Sequence, residues 1–127
     1  MIDIQKQIEH WQSNAIEDWQ VARDLIDDGR IRHGLFFVHL SLEKVLKAHV
    51  IRNTQDLAPR IHNLVRLAQS AALEISPDYL DVLADMNAFN LEGRYPDVDL
   101  PLPTIEETHN YLARSEEVFQ WLMSQLS

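Results

Sequence analysis

The sequence predicts an all-α fold, an antiparallel up-and-down bundle of four to five helices. Three observations carry this. Apolar residues recur at spacings of three and four through most of the chain, the repeat of one helix face. Glycine (3) and proline (5) are scarce while Leu, Ala, Glu and Gln are frequent, a composition that favours helix over strand. No segment alternates between apolar and polar residues, and there is no internal repeat or low-complexity tract.

Each element has its own signals. Ile4, Ile8, Trp11, Ala15, Trp19, Ala22 and Ile26 form one stripe, and Gly29 suits the left-handed position past a helix end, so the first helix spans about 3–28. The second spans about 32–53, with Leu35, Val38, Leu42, Val45, Leu46 and His49 as its buried stripe and Phe36 and Phe37 broadening it. Pro59 lies in the loop that follows. Ile61, Leu64, Val65, Leu67 and Ala68 predict a short helix over about 60–73. Ser76-Pro77 is a cap followed by proline at the first helical position, and opens a fourth helix over about 77–91. Gly93, Pro96, Pro101 and Pro103 then force an irregular connection. Thr104 and Glu107 have the spacing of a capping box and start the last helix, about 105–126. A helix of 25 residues is roughly 37 Å long, so the first, second and last helices are expected to pack side by side.

The chain has 127 residues, which fits a single domain over 1–127 with a self-sufficient core. It has no cysteine, which excludes disulfides and thiolate chemistry and fits a reducing, cytoplasmic setting. No apolar run is long enough to span a bilayer, and the first ten residues lack a secretory pattern. The net charge is -9, but it is unevenly spread. From Arg23 to Arg66 eight basic residues face five acidic ones, and four histidines lie among them; the remainder carries 3 basic and 15 acidic residues. Such a middle segment reads either as solvated helix faces or as an anion-attracting surface on an acidic body.

The densest polar cluster lies on the second helix. His39, Glu43 and Lys47 are four residues apart and share one face, with Lys44 beside them. Leu40, Leu42, Val45, Leu46 and Val50 surround them. The cluster is either an exposed ion-pair ladder or a partly buried site whose charges need partners. A di-iron bundle needs Glu-x-x-His on two helices, yet Leu46 stands three residues after Glu43, so no metal site is expected. No Gly-rich phosphate loop or dinucleotide fingerprint is present, so no cofactor is expected either. Further along, Arg94 follows Gly93 and precedes Tyr95 and Pro96. Its guanidinium suits either the carbonyls of a helix end or a phosphate, with Tyr95 as stacking surface.

Taken together, these motifs resemble the HEPN domain family, of the prokaryotic nucleotidyltransferase-associated type. The resemblance rests on Trp19-x-x-Ala22-x-Asp24-Leu25, Gly34, Phe36-Phe37-x-His39, Leu42-Glu43-Lys44-x-Leu46-Lys47-Ala48, His62-Asn63-Leu64 and Arg94-Tyr95-Pro96, in that order along nearly the whole chain. It implies a compact, usually dimeric helical bundle associated with nucleotides or RNA. It also implies work beside a small nucleotidyltransferase as a toxin–antitoxin-like pair. Many members are metal-independent RNases carrying an Arg followed, after four to six intervening residues, by a His. This sequence departs from that pattern: no His follows Arg94 before His109, and Asp97 and Asp99 add negative charge there.

The expectation is therefore a non-catalytic HEPN homodimer that binds a nucleotide, pairs with a nucleotidyltransferase, or both. Lys44, Lys47 and Arg94 would contact phosphates, Tyr95 and His62 would orient or stack, and Glu43 would hold Lys47. One alternative is an RNase acting on RNA through a rearranged pair, His62 with Arg94. Another is a structural dimerisation module whose polar residues only set a seam.

Overall fold

The capping signals and apolar stripes fold into five helices. The computed structural model describes residues 2–90 and 101–126. Among these, the helices are α1 (Ile4–Asp27), α2 (Ile31–Thr54), α3 (Leu64–Ser70), α4 (Pro77–Met86) and α5 (Ile105–Gln125), with a 3₁₀ turn at Asn87–Phe89 and no strand. No described helix is long and apolar enough to cross a membrane.

Local chemistry sets the helix ends. The Asp3 carboxylate accepts from the Lys6 N–H and starts α1. Gly29 ends it at φ 79°, with the Arg30 N–H donating to the Leu25 carbonyl and the Gly29 N–H to that of Ile26, a Schellman turn. Ser76 accepts from the Tyr79 N–H and Pro77 fills the first turn of α4. The predicted capping box is present: Thr104 accepts from the Glu107 N–H, and Glu107 accepts from that of Thr104.

Two elements are shorter than predicted. α3 begins at Leu64 rather than near residue 60, because the Asn63 side chain accepts from the Arg66 N–H and Asn63 itself is extended. α4 stops at Met86 because the chain tightens into the 3₁₀ turn. There the Asn87 Oδ1 accepts from the Leu64 N–H (2.8 Å), and its Nδ2 donates to Asn63 Oδ1 (3.2 Å). The end of α4 is thereby tied to the start of α3.

α1 and α2 form an antiparallel hairpin, the most extensive helix pairing in the fold. Ile26 meets Gly34, the Ser41 hydroxyl donates to the Ala15 carbonyl (2.7 Å), and Ile8 packs with Ala48 and Ile51. A Cβ at Gly34 would sit 2.5 Å from Ile26 Cγ1, so only glycine permits this approach. α5 runs antiparallel to α1: Trp19 stacks on Phe119 (centroids 4.9 Å apart), and Arg23 pairs with Glu116 at 2.7 Å. α2 touches every other helix and is buried nearly all round, which is why its sequence lacks a clean polar face. Leu35, Leu42, Leu46, Leu64, Leu83 and Leu122 are fully buried at the centre.

Candidate functional site

His39, Glu43 and Lys47 do share one face of α2, and that face is interior: their residual exposures are 0%, 4% and 5%. Charges so placed need partners. Lys47 Nζ donates to Glu43 Oε2 at 3.0 Å and lies 5.3 Å from the centre of the Trp11 ring. Of the two readings the sequence left open for this cluster, the structure has the buried one.

His62 joins the cluster from the extended segment between Pro59 and α3. Its Nδ1 lies 3.1 Å and 3.2 Å from the two Glu43 oxygens, and its side chain is 45% exposed. His62 is therefore the member that links the buried carboxylate to the surface. Its position is held by its neighbours, with Asn63 capping α3 and Asn87 bracing Asn63. His39 acts on its backbone: His39 Nε2 lies 3.1 Å from the His62 carbonyl oxygen.

Proton positions follow from these partners. A carbonyl only accepts, so His39 carries its proton on Nε2 and donates; an ionised carboxylate only accepts, so His62 donates to Glu43 from Nδ1. His39 Nδ1 is then bare. It is buried, has no hydrogen-bond partner among the described residues, and lies 3.8 Å from Glu43 Oε1. Burial pushes the His39 pKa below its ordinary value of 6.5, and the attraction of the Glu43 carboxylate only partly opposes this.

The sequence-predicted residues thus separate. Glu43, Lys47 and His62 come together. Lys44 is engaged instead by Asp18 of α1, at 2.7 Å. Arg94 and Tyr95 lie outside the described residues. Sequence reasoning placed Trp11 in the apolar stripe of the first helix but not against Lys47, and did not foresee that His39 braces the His62 backbone. Nor did it single out Arg60 and Arg66, which flank His62 in the chain, are exposed, and make no ion pair among the described residues.

A separate groove of about 720 Å³ lies between α4 and α5. Tyr79 and Trp121 line it, and so do Glu74, Asp78, Asp81 and Glu117. Arg114 lines it too, so four carboxylates and one guanidinium give the groove a net negative charge. No cluster of three or more potential metal ligands exists among the described residues.

The fold and the motifs along α2 have a match among known families: residues 8–126 fit the HEPN domain. The chain belongs to the HEPN family. Two solved structures share its architecture. One is TT1696 from Thermus thermophilus, with a TM-score of 0.75 at 17% identity, covering 91% of this chain and 95% of that one. The other is ST0689, an archaeal HEPN homologue, with a TM-score of 0.73 at 19% identity, covering 94% and 98%. At such identities the likeness concerns the fold. No curated protein matches the chain significantly. In this HEPN protein Glu43 and Lys47 therefore sit on the helix that also organises the domain, and His62 reaches Glu43 from the segment before α3.

Proposed function

We propose that this HEPN protein is a non-catalytic binding module that takes a nucleotide at the edge where His62 emerges. One arrangement carries the reading: a half-exposed imidazole is held by a buried carboxylate, and two exposed arginines that make no ion pair among the described residues flank it in the chain. Glu43 fixes the ring through Nδ1 and so orients the half-exposed imidazole at the surface. Lys47 and Glu43 neutralise each other. The ligand charge is therefore met by His62, Arg60 and Arg66, with Arg94 and Tyr95 as further contacts on the family's pattern. Lys44 contributes positive potential from beside Asp18.

Calorimetry with ATP and GTP, with and without Mg²⁺, tests this. Saturable heat that is lost in His62→Ala is the expected result; no heat at millimolar nucleotide removes the ligand reading. The toxin–antitoxin role is carried by family membership, with a homodimer in the cytoplasm as the working form and a small nucleotidyltransferase as its partner. Gel filtration of this chain co-expressed with a nucleotidyltransferase encoded beside it would show a joint peak, and separate elution would exclude the pairing.

A second reading has one observation in its favour. A carboxylate 3.1 Å from a histidine Nδ1 is also how an imidazole is set up for acid–base work. As an RNase, the chain would use His62 on the 2′-hydroxyl and Arg94 on the phosphate. Labelled RNA incubated with wild type, His62→Ala and Arg94→Ala decides: cleavage abolished by both substitutions supports it, and intact RNA throughout ends it.

A further inference from the structure

We propose that His39 is a positioning residue for His62, setting both the place of its backbone and the nitrogen through which its ring is held. The proposal rests on the reading of His62 as the ligand-facing group.

Two contacts and one helical turn close a circuit. His39 Nε2–H donates to the His62 carbonyl at 3.1 Å. The His62 ring donates from Nδ1 to Glu43 at 3.1 Å and 3.2 Å. Glu43 stands one helical turn after His39 on the same rigid helix. Main chain and side chain of one residue are thus anchored to two adjacent turns of α2. The segment between Pro59 and Asn63 has no helical hydrogen bonds of its own to hold it. Without the His39 donor, the His62 carbonyl loses this hydrogen bond, and the backbone holds the ring less firmly against the carboxylate.

The second nitrogen of His39 matters equally. Nδ1 is a bare acceptor, fully buried, 3.8 Å from Glu43 Oε1. An acceptor cannot bond to a carboxylate oxygen, so His39 makes no claim on Glu43. The carboxylate turns instead to the two donors within reach, Lys47 Nζ and His62 Nδ1. A proton on His39 Nδ1 would compete with His62 for the same oxygen. Burial of His39 opposes that proton, in agreement with the geometry.

Long-range ¹H–¹⁵N spectra of the imidazole rings test this on the full chain at about pH 8, above the ordinary imidazole range. In the wild type, His39 should show the Nε2–H tautomer and His62 the Nδ1–H tautomer. His39→Gln keeps a side-chain N–H donor and should keep His62 on Nδ1–H. His39→Leu removes the donor; its His62 ring, released from Glu43, should return to a mixed, Nε2–H-rich population. A wild-type His39 protonated on Nδ1 overturns the proposal, as does a folded His39→Leu in which His62 stays on Nδ1–H. If His39→Leu fails to fold, the wild type and His39→Gln decide, and loss of the Nδ1–H tautomer in His39→Gln counts against it. These spectra need no ligand. A wild type that shows both tautomers but binds no nucleotide removes the binding reading and leaves the positioning role standing.

Discussion

Glu43 and Lys47 lie one turn apart on α2 and meet at 3.0 Å with almost no solvent around either. The pair is a commitment of the core. Removing one partner strands the other charge in a medium that solvates it poorly. Lys47→Met should lower unfolding free energy by about 3 kcal/mol. The double variant Glu43→Gln/Lys47→Met should recover part of that loss, because no unpaired charge remains. Urea titrations of wild type, Glu43→Gln, Lys47→Met and the double variant check this, and additive losses would show that the pair is not coupled.

Acid should weaken the fold through two buried imidazoles. His39 and His49 both titrate below the ordinary value of 6.5, chiefly because burial disfavours the imidazolium. Just below 6.5 the unfolded chain therefore takes up protons that the folded chain does not. The stabilisation is complete above that value and is lost as pH falls through the depressed folded-state values. Urea midpoints should hold level from about pH 8 to 7 and then decline. His49 donates to the Leu122 carbonyl at 2.8 Å, and His49→Gln, which keeps a donor, should make the decline shallower.

Gly34→Ala should destabilise the protein even though alanine is the better helix former. The added methyl would lie 2.5 Å from Ile26 Cγ1 and 3.2 Å from the Ile26 backbone nitrogen, so α1 and α2 must move apart. The helix-propensity gain of about 1 kcal/mol is outweighed by overpacking of about 1–3 kcal/mol. Thermal melts should show a reduced Tm, and an unchanged or raised Tm would mean that the hairpin absorbs the methyl.

Asn87→Ala should cost about 1–2 kcal/mol by leaving the buried Leu64 N–H without its acceptor. Its effect should reach the candidate site. Asn63 loses its brace, the start of α3 loosens, and amide hydrogen exchange should rise over residues 60–66 before it rises in α1 or α5. Uniform acceleration across all helices would instead indicate a global loss of stability.

The apolar repeats made α1 and α5 legible, because a helix that buries one stripe writes that stripe into its sequence; α2, buried nearly all round, showed instead as a long run rich in apolar residues. Gly29, Ser76-Pro77 and Thr104–Glu107 marked ends because their chemistry is local. α3 was misjudged at its start: Ile61 fits the apolar repeat, but the Asn63 side chain caps the helix two residues later. That difference puts His62 on an extended segment, where its carbonyl is available to His39. The face shared by His39, Glu43 and Lys47 followed from spacing alone. Its burial depended on how other helices surround α2, and the Trp11 and His39 contacts depend on docking between distant parts of the chain. Spacing cannot supply either.

Because α2 touches every other described helix while carrying three of the four clustered polar residues, the proposed recognition and the fold draw on the same two dozen positions. Divergence in what the protein binds is then channelled away from α2. It falls most easily on Arg60 and Arg66, which flank His62 in the chain and face solvent. Relatives with altered preferences should differ there while their second helices stay alike.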